Sequence, residues 1–386
     1  MEIVYQNEAS GLLKQIRAGG VTVPFGDQLG PAFYYKTDRK QIPVPLHAQG
    51  TGYTGMADGV VFGLSYRDQG DYLSIEATLE NTNAEAFAPE AVGLKLGVDT
   101  YMVEYPQWND VFFPTFMRCE KTHFWGYFMS PLQRVLSVTC DTPVAAWELD
   151  YNQFGDEDTA DFGHRIYTAN LLLLCQGPLP TRHPQHLDCL LPGQKMSWVI
   201  NLMPLGALSE FGATVANRFG LPVIDLERYT LALGEEAQIS VQCKEGYQLS
   251  TLSPSGKVYA GDLIPCKEYG VYTVTLSTDS GRTAEAKFYV RREYGWYLRA
   301  ARENAVRKPQ KATVCTESWY GHFSSFLARK HFLDPYRRWE GREDDQLRKE
   351  FASGLSVEEI AKLHQRTSGA ILARLKRLDL IRPVSN

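Results

Sequence analysis

Between Tyr72 and Glu80 the chain alternates without a break, with Leu73, Ile75, Ala77 and Leu79 on one side and Tyr72, Ser74, Glu76, Thr78 and Glu80 on the other. A period of two fits an extended strand, and apolar residues on one side alone fit an antiparallel sheet with one face on a core. Asn81-Thr-Asn83 follows as a turn. Short segments rich in aromatic and β-branched residues, separated by glycine and proline, recur at 60–66, 93–98, 123–129, 135–140, 170–175 and 196–203. No long helical pattern lies between them, so residues 1–208 are expected to form a large antiparallel β-sandwich.

A short helix is expected near 210–217, stopped by Gly220 and Pro222. Strand-like runs at 237–243, 247–252, 270–276 and 284–290, with turns at Pro254-Ser-Gly256 and Asp279-Ser-Gly281, predict a second, immunoglobulin-like β-sandwich. Together these make a unit over 209–292. The texture changes at Arg292. Residues 296–307 read as the first long helix, ended by Pro309, and 318–332 as another, so 293–338 is expected to be a helical linker.

Residues 339–386 predict a three-helix helix-turn-helix unit. Helix 343–353 starts with Glu343, Asp344 and Asp345, where negative charge complements the helix dipole, and turns Leu347 and Phe351 inward. Gly354 suits the left-handed stop, and Ser356-Val-Glu-Glu359 is a capping box for helix 357–363. Thr367 caps helix 368–378, which buries Ile371, Leu375 and Leu378. Charge divides along the unit: six acids against two bases over 343–359, then six bases against one acid over 361–382. Trp339, Leu347, Gly354-x-Ser356, Ile360-Ala361, Arg366-Thr367 and Ala370-Ile371-x-x-Arg374-Leu375 resemble a Myb-like or sigma-region-4-like tail. The resemblance implies DNA contact through Gln365, Arg366, Thr367, Ser368, Arg374 and Arg377 at the start and along the basic face of the last helix. A helical cap or protein-docking tail is the alternative.

In the body, the densest functional-looking stretch is 93–129. Its candidates for a glycan are Tyr105, Trp108, Asn109, Arg118, Glu120, His123 and Trp125, because pyranose rings stack on aromatic faces while their hydroxyls need polar partners. The alternative is that these aromatics are strand core. Gly93-Leu-Lys-Leu-Gly-Val-Asp-Thr-Tyr101, Pro254-Ser-Gly256, Tyr269-Gly-Val-Tyr272, Lys308-Pro-Gln-Lys311 and Thr316-Glu-Ser-Trp-Tyr-Gly-His-Phe323 resemble the β-sandwich and immunoglobulin-like region before an α/α-toroid glycoside hydrolase or polysaccharide lyase domain. The resemblance spans residues 1–335, but the toroid itself would need several hundred further residues. No catalytic residue is therefore carried over, and Glu317, Tyr320 and His322 read as surface or packing residues. The expectation is a glycan-binding, non-catalytic protein; a glycan-cleaving fragment or a structural assembly protein are the alternatives.

Other motifs point to plain structure. His183-Pro-Gln-His186 with Asp188 and Cys189 lacks the helical context of a metal site, and Gly155–Asp161 lacks calcium-loop spacing. No metal or cofactor is implied. Seven scattered cysteines without a Cys-x-x-Cys pair suit a reducing compartment, with Cys243 and Cys266 the one pair that could bridge. Met1–Tyr5 lacks the basic and apolar regions of a secretory signal, so a cytoplasmic location is expected unless a signal has been removed. The longest apolar run, Leu171–Cys175, is five residues, too short for a bilayer. With a net charge of −5, any nucleic-acid contact must come from a local basic patch. The partners expected are a glycan and, through the tail, DNA, with no membrane and with oligomerisation open.

Overall fold

The computed structural model describes residues 1–25, 30–98, 109, 111–154, 164–307, 339, 341–364, 366, 368–378 and 380–381. The chain forms two compact units, Met1–Glu293 and Tyr294–Asn386. It is mainly β, with antiparallel sheets in the first unit and helices in the second.

The first unit is built around an eight-stranded sheet. In spatial order its strands are Phe113–Cys119, Phe124–Met129, Val135–Cys140, Lys195–Leu205, Leu73–Asn81, Val60–Asp68, Gly52–Ala57 and His47–Gln49. The alternating strand sits inside it, paired on one side with Lys195–Leu205 and on the other with Val60–Asp68. Leu73, Ile75, Ala77 and Leu79 are fully buried, as the period of two requires. A five-stranded sheet, Ala146–Phe154, His164–Cys175, Ala91–Gly97, Ala32–Thr37 and Lys40–Pro43, supplies Phe33, Leu94, Leu96, Leu171 and Leu173 to the same core. The two sheets thus form the large sandwich, with a three-stranded N-terminal sheet of Glu2–Asn7, Leu12–Ala18 and Val21–Pro24 added to that core through Leu13, Ile16 and Val23.

Val135–Cys140 departs from the half-buried pattern, since all six residues are buried. Its inner face meets the sandwich core through Leu136, Val138 and Cys140, while Val135 belongs to a second cluster with Trp125, Leu205, Phe211, Val215 and Val223. That end of the sheet is covered twice. The second cover is helix α1, Phe211–Phe219, and the small β-module that follows. Helix α1 ends where the sequence predicts. Gly220 takes φ +66° and donates its N–H to the Ala216 carbonyl at 3.1 Å, a conformation that costs other residues strain.

The small module has two sheets around Ile239, Ile264, Tyr272, Val274 and Phe288. One is Val223–Leu226, Glu236–Gln242 and Leu263–Pro265. The other is Thr230–Ala232, Thr283–Arg291, Gly270–Thr278, Tyr247–Leu252 and Val258–Ala260, in which Thr230–Ala232 runs parallel to Thr283–Arg291. Cys243 and Cys266 are free thiols.

In the second unit, helix α2 spans Tyr294–Arg307, and three further helices are α3, Gly341–Ala352, α4, Val357–Leu363, and α5, Ser368–Arg377. Leu347, Ile360, Ala361, Ile371 and Leu375 form the buried centre of these three. The capping box is present: Ser356 N–H donates to Glu359 Oε2 at 2.8 Å, and Glu359 N–H donates back to Ser356 Oγ at 3.2 Å. Gly354 takes φ +86°. The helix expected over 318–332, the loop 155–161, and Glu317, Tyr320 and His322 lie outside the described residues. No helix among the described residues is long and apolar enough to cross a membrane.

Candidate functional site

Strand register decides where the aromatic stretch of the body points. Phe113–Cys119 pairs with Phe124–Met129, placing Phe116 opposite Tyr127 and Arg118 opposite Trp125. Successive side chains alternate, so Phe124 and Phe128 enter the sandwich core while Trp125 and Tyr127 face the other way. There Phe116 stacks on Trp125 at 5.5 Å and on Tyr127 at 6.0 Å, and Phe211 of α1 meets Tyr127 edge-on at 4.8 Å. These rings form one wall of a cleft of about 580 Å³. Gln133, Ser209, Asp225, Tyr229, Ser240 and Gln242 add polar groups to its lining. Tyr229 donates its hydroxyl to Asp225 Oδ1 at 3.0 Å, and burial raises the phenol to about 12.

Of the glycan candidates read from the sequence, Trp125 lies in this cleft, though its side chain is buried rather than exposed. Among the described residues its indole N–H has no hydrogen-bond partner. Asn109 is exposed, and Tyr105 and Trp108 lie outside the described residues. Arg118, Glu120 and His123 are brought together, but beneath the surface, along the seam between the sandwich and the small module. Arg118 Nε donates to Glu120 Oε1 at 2.7 Å, and its guanidinium lies 5.7 Å from the Trp125 ring. The other Glu120 oxygen accepts the N–H of Glu285, in the small module, at 3.1 Å. Beside it, Thr122 Oγ1 accepts the Thr283 N–H at 3.1 Å and lies 3.0 Å from His123 Nδ1. Arg282 donates to the Asp141 carbonyl at 2.9 Å.

Burial dominates the electrostatics of this seam. It pushes Glu120 up to about 7, although Arg118 pulls the other way, and pushes His123 down to about 3. A carboxylate bound on both oxygens ties the two modules together, and beside it lies a fully buried imidazole that its burial keeps neutral; neither presents a free atom at the surface. The cleft residues that sequence reading missed are Phe116, Tyr127, Phe211, Asp225 and Tyr229. Alternation alone places Trp125 and Tyr127 on one face, but nothing local says that α1 and the small module close over it.

His183 is buried, and its Nδ1–H donates to the Ala145 carbonyl at 3.0 Å. Among the described residues no cluster of metal-ligating side chains is present.

In the tail, the predicted DNA-facing arginines turn inward. Arg366 is buried and grips Glu343 with two hydrogen bonds, at 2.7 and 2.9 Å. Arg374 likewise grips Asp344, with Nε at 2.7 Å. Both guanidinium groups lie over Trp339, at 4.0 and 5.3 Å from its ring centre, and His364 Nε2 is 2.6 Å from Glu350. The division of acids and bases along the tail is thus consumed in part by pairing between α3 and the last two helices. The expectation of a free basic face is corrected to that extent: Ser368 and Arg377 are exposed, while Gln365 and Thr367 lie outside the described residues.

No protein-family model matches the chain, and no curated protein matches its sequence. Among solved structures, a polysaccharide lyase superposes with a TM-score of 0.54 at 12% identity, over 78% of this chain and 48% of its own. The chain therefore spans about half the length of that lyase, and at this identity the likeness concerns the fold alone. A galactose mutarotase related enzyme from Lactobacillus acidophilus aligns with 53% of this chain and 97% of its own at 8% identity, but its TM-score of 0.29 carries no argument. None of these similarities supports the Myb-like resemblance of the tail.

Proposed function

We propose that the β body of this chain binds a glycan in the cleft walled by Phe116, Trp125, Tyr127 and Phe211, and that it acts as a binding unit. The observation that carries this reading is that stacked rings and amide, hydroxyl and carboxylate groups line one cleft. Sugar rings offer an apolar face for stacking and a rim of hydroxyls for such polar groups. The fold likeness to a polysaccharide lyase adds support at the level of architecture. Glycoside hydrolysis ordinarily uses a pair of carboxyl groups across the bond, and Asp225 is the one carboxylate among the residues lining this cleft.

The test is a panel of glycans presented to the full chain, with binding read by calorimetry and turnover by reducing-end and double-bond assays. Binding without turnover, lost in Tyr127→Ala, is the expected result. Turnover that survives purification would make the chain an enzyme, and no binding to any glycan would overturn the reading.

The tail reads best as a self-paired structural unit, because the guanidinium groups a duplex would need at Arg366 and Arg374 are bound to Glu343 and Asp344. Titration with duplex DNA at low salt should show no binding. Salt-dependent binding that Arg377→Ala weakens would restore a DNA role.

A further inference from the structure

A second cavity of about 380 Å³ adjoins the aromatic cleft, and Phe116 and Tyr229 line both. Its chemistry differs. Arg118, Arg182, Glu285 and Lys287 contribute to its lining. Arg118 is already neutralised by Glu120. Lys287 Nζ stands 3.2 Å from Glu285 Oε1, so its charge is engaged by that carboxylate. Arg182 is different again: among the described residues no hydrogen bond or ion pair engages its side chain. Arg118 and Arg182 both act on the single carboxyl of Glu120, and Lys287 is paired with Glu285, so the surroundings of this cavity carry an excess of positive charge.

The loop that carries Arg182 is held in place. His183 Nδ1–H donates to the Ala145 carbonyl at 3.0 Å, and the His183 N–H donates to the Pro180 carbonyl at 2.9 Å. Gln185 Nε2 donates to the carbonyls of Pro180 at 3.0 Å and His183 at 2.9 Å. The His183-Pro-Gln segment therefore works as a brace for its neighbour. A guanidinium is a planar fork of donors matched to two oxygens of a carboxylate or sulfate, and a half-buried fork on a braced loop loses little freedom on binding one.

We infer that the ligand is an oligosaccharide that crosses from the aromatic cleft past Tyr229 into this second cavity, where an anionic substituent, a carboxylate or a sulfate, is held by Arg182. The inference rests on the glycan reading above and adds the length and charge of the ligand to it.

Calorimetry on the full chain with hexasaccharides tests it, using polygalacturonate and chondroitin sulfate fragments as charged probes and cello- and xylo-oligosaccharides as neutral ones. Charged hexasaccharides should bind about tenfold tighter than neutral ones and than their own disaccharides, a gap of about 1.4 kcal/mol. Arg182→Gln should erase the charge preference and leave the residual binding that Tyr127→Ala removes. Desulfated chondroitin separates the two anion sources: affinity kept points to the carboxylate, and affinity lost points to the sulfate. Equal binding of neutral and charged probes, or a charge preference that survives Arg182→Gln, overturns the inference while the glycan reading stands. No binding of any probe to the wild-type chain brings down the glycan reading and this inference together. Arg182 sits on a loop outside the core, and an unchanged far-ultraviolet circular dichroism spectrum checks that its variant is folded.

Discussion

The seam of the β body and the three-helix tail each bury arginine–carboxylate pairs, and they use them differently. In the seam, Arg118 and Glu120 come from consecutive positions on one side of the chain, and Glu120 spends its second oxygen on the backbone of another module. The pair sits beside the sandwich core through Met117 and Cys119 and against Trp125 of the second cluster, so it adds orientation to an interface that hydrophobic burial already holds. In the tail, Glu343 and Asp344 of α3 hold Arg366, in the connection before α5, and Arg374 of α5, around a centre of five buried residues among those described. So small a core supplies few kcal/mol, and the paired arginines stacked on Trp339 lie close against it. A buried ion pair fixes where its partners sit in either core, and losing one partner, which strands a buried charge, takes a larger share of the stability of the small one.

Removing one partner should expose the contrast. Glu120→Ala leaves Arg118 buried without its counter-charge and should cost about 3–5 kcal/mol. Denaturant unfolding of the full chain, followed by near-ultraviolet circular dichroism, measures this; a loss below 1 kcal/mol would show that the seam is wetter than its burial implies. Glu343→Gln should cost less, about 2 kcal/mol, because its side chain is nearer solvent, yet with so small a core the tail should unfold. Hydrogen exchange over 357–377 should then lose its protection while the β body keeps its own.

The seam also predicts a pH signature. Glu120, raised to about 7 in the fold, binds a proton there that the unfolded chain has already released above about 4.5. Its contribution to stability is therefore full below about 4.5 and is lost as pH rises towards 7. His123, lowered to about 3, has the opposite slope: stability is present above its ordinary 6.5 and is lost as pH falls towards 3. Across the shared window the two nearly cancel. Glu120→Gln should uncover a rise with pH, and His123→Asn a fall, each of about 1.4 kcal/mol per pH unit at most. Parallel profiles for wild type and both variants would refute the opposition.

The smallest expected effect returns to the tail. Ser356→Ala removes one half of the capping box and should cost about 1 kcal/mol, read as faster exchange of the first amides of α4. No change would mean that the ion pairs alone fix that helix.

These contrasts also separate what was legible in the sequence. Leu73 to Leu79, the Gly220 and Gly354 stops and the Ser356–Glu359 box were all readable, because each depends on backbone geometry within a few residues. The short N-terminal strands and Phe113–Cys119 were not: each pairs with a strand next to it along the chain, but register shifts at Val4–Asn7 and Pro114–Phe116 break the period of two. The candidate site divides in the same way. Trp125 was marked as an aromatic among polar residues, but Phe116, Tyr127 and Phe211 become a wall only when strand pairing and α1 bring them together. Arg118, Glu120 and His123 have the composition of a surface site, and the small module seals them. In the tail, the run of acids followed by bases was plain, and it fits equally a basic face for a phosphate or a set of internal pairs.

The sequence by itself determined the local grammar: which segments alternate, where helices begin and stop, and where charge changes sign. Tertiary structure decided which faces stay open. Burial depends on what packs against a strand or helix from far along the chain, and a charged side chain's role follows from that cover, because the same arginine is a recognition group in water and a fastening once its carboxylate partner closes over it.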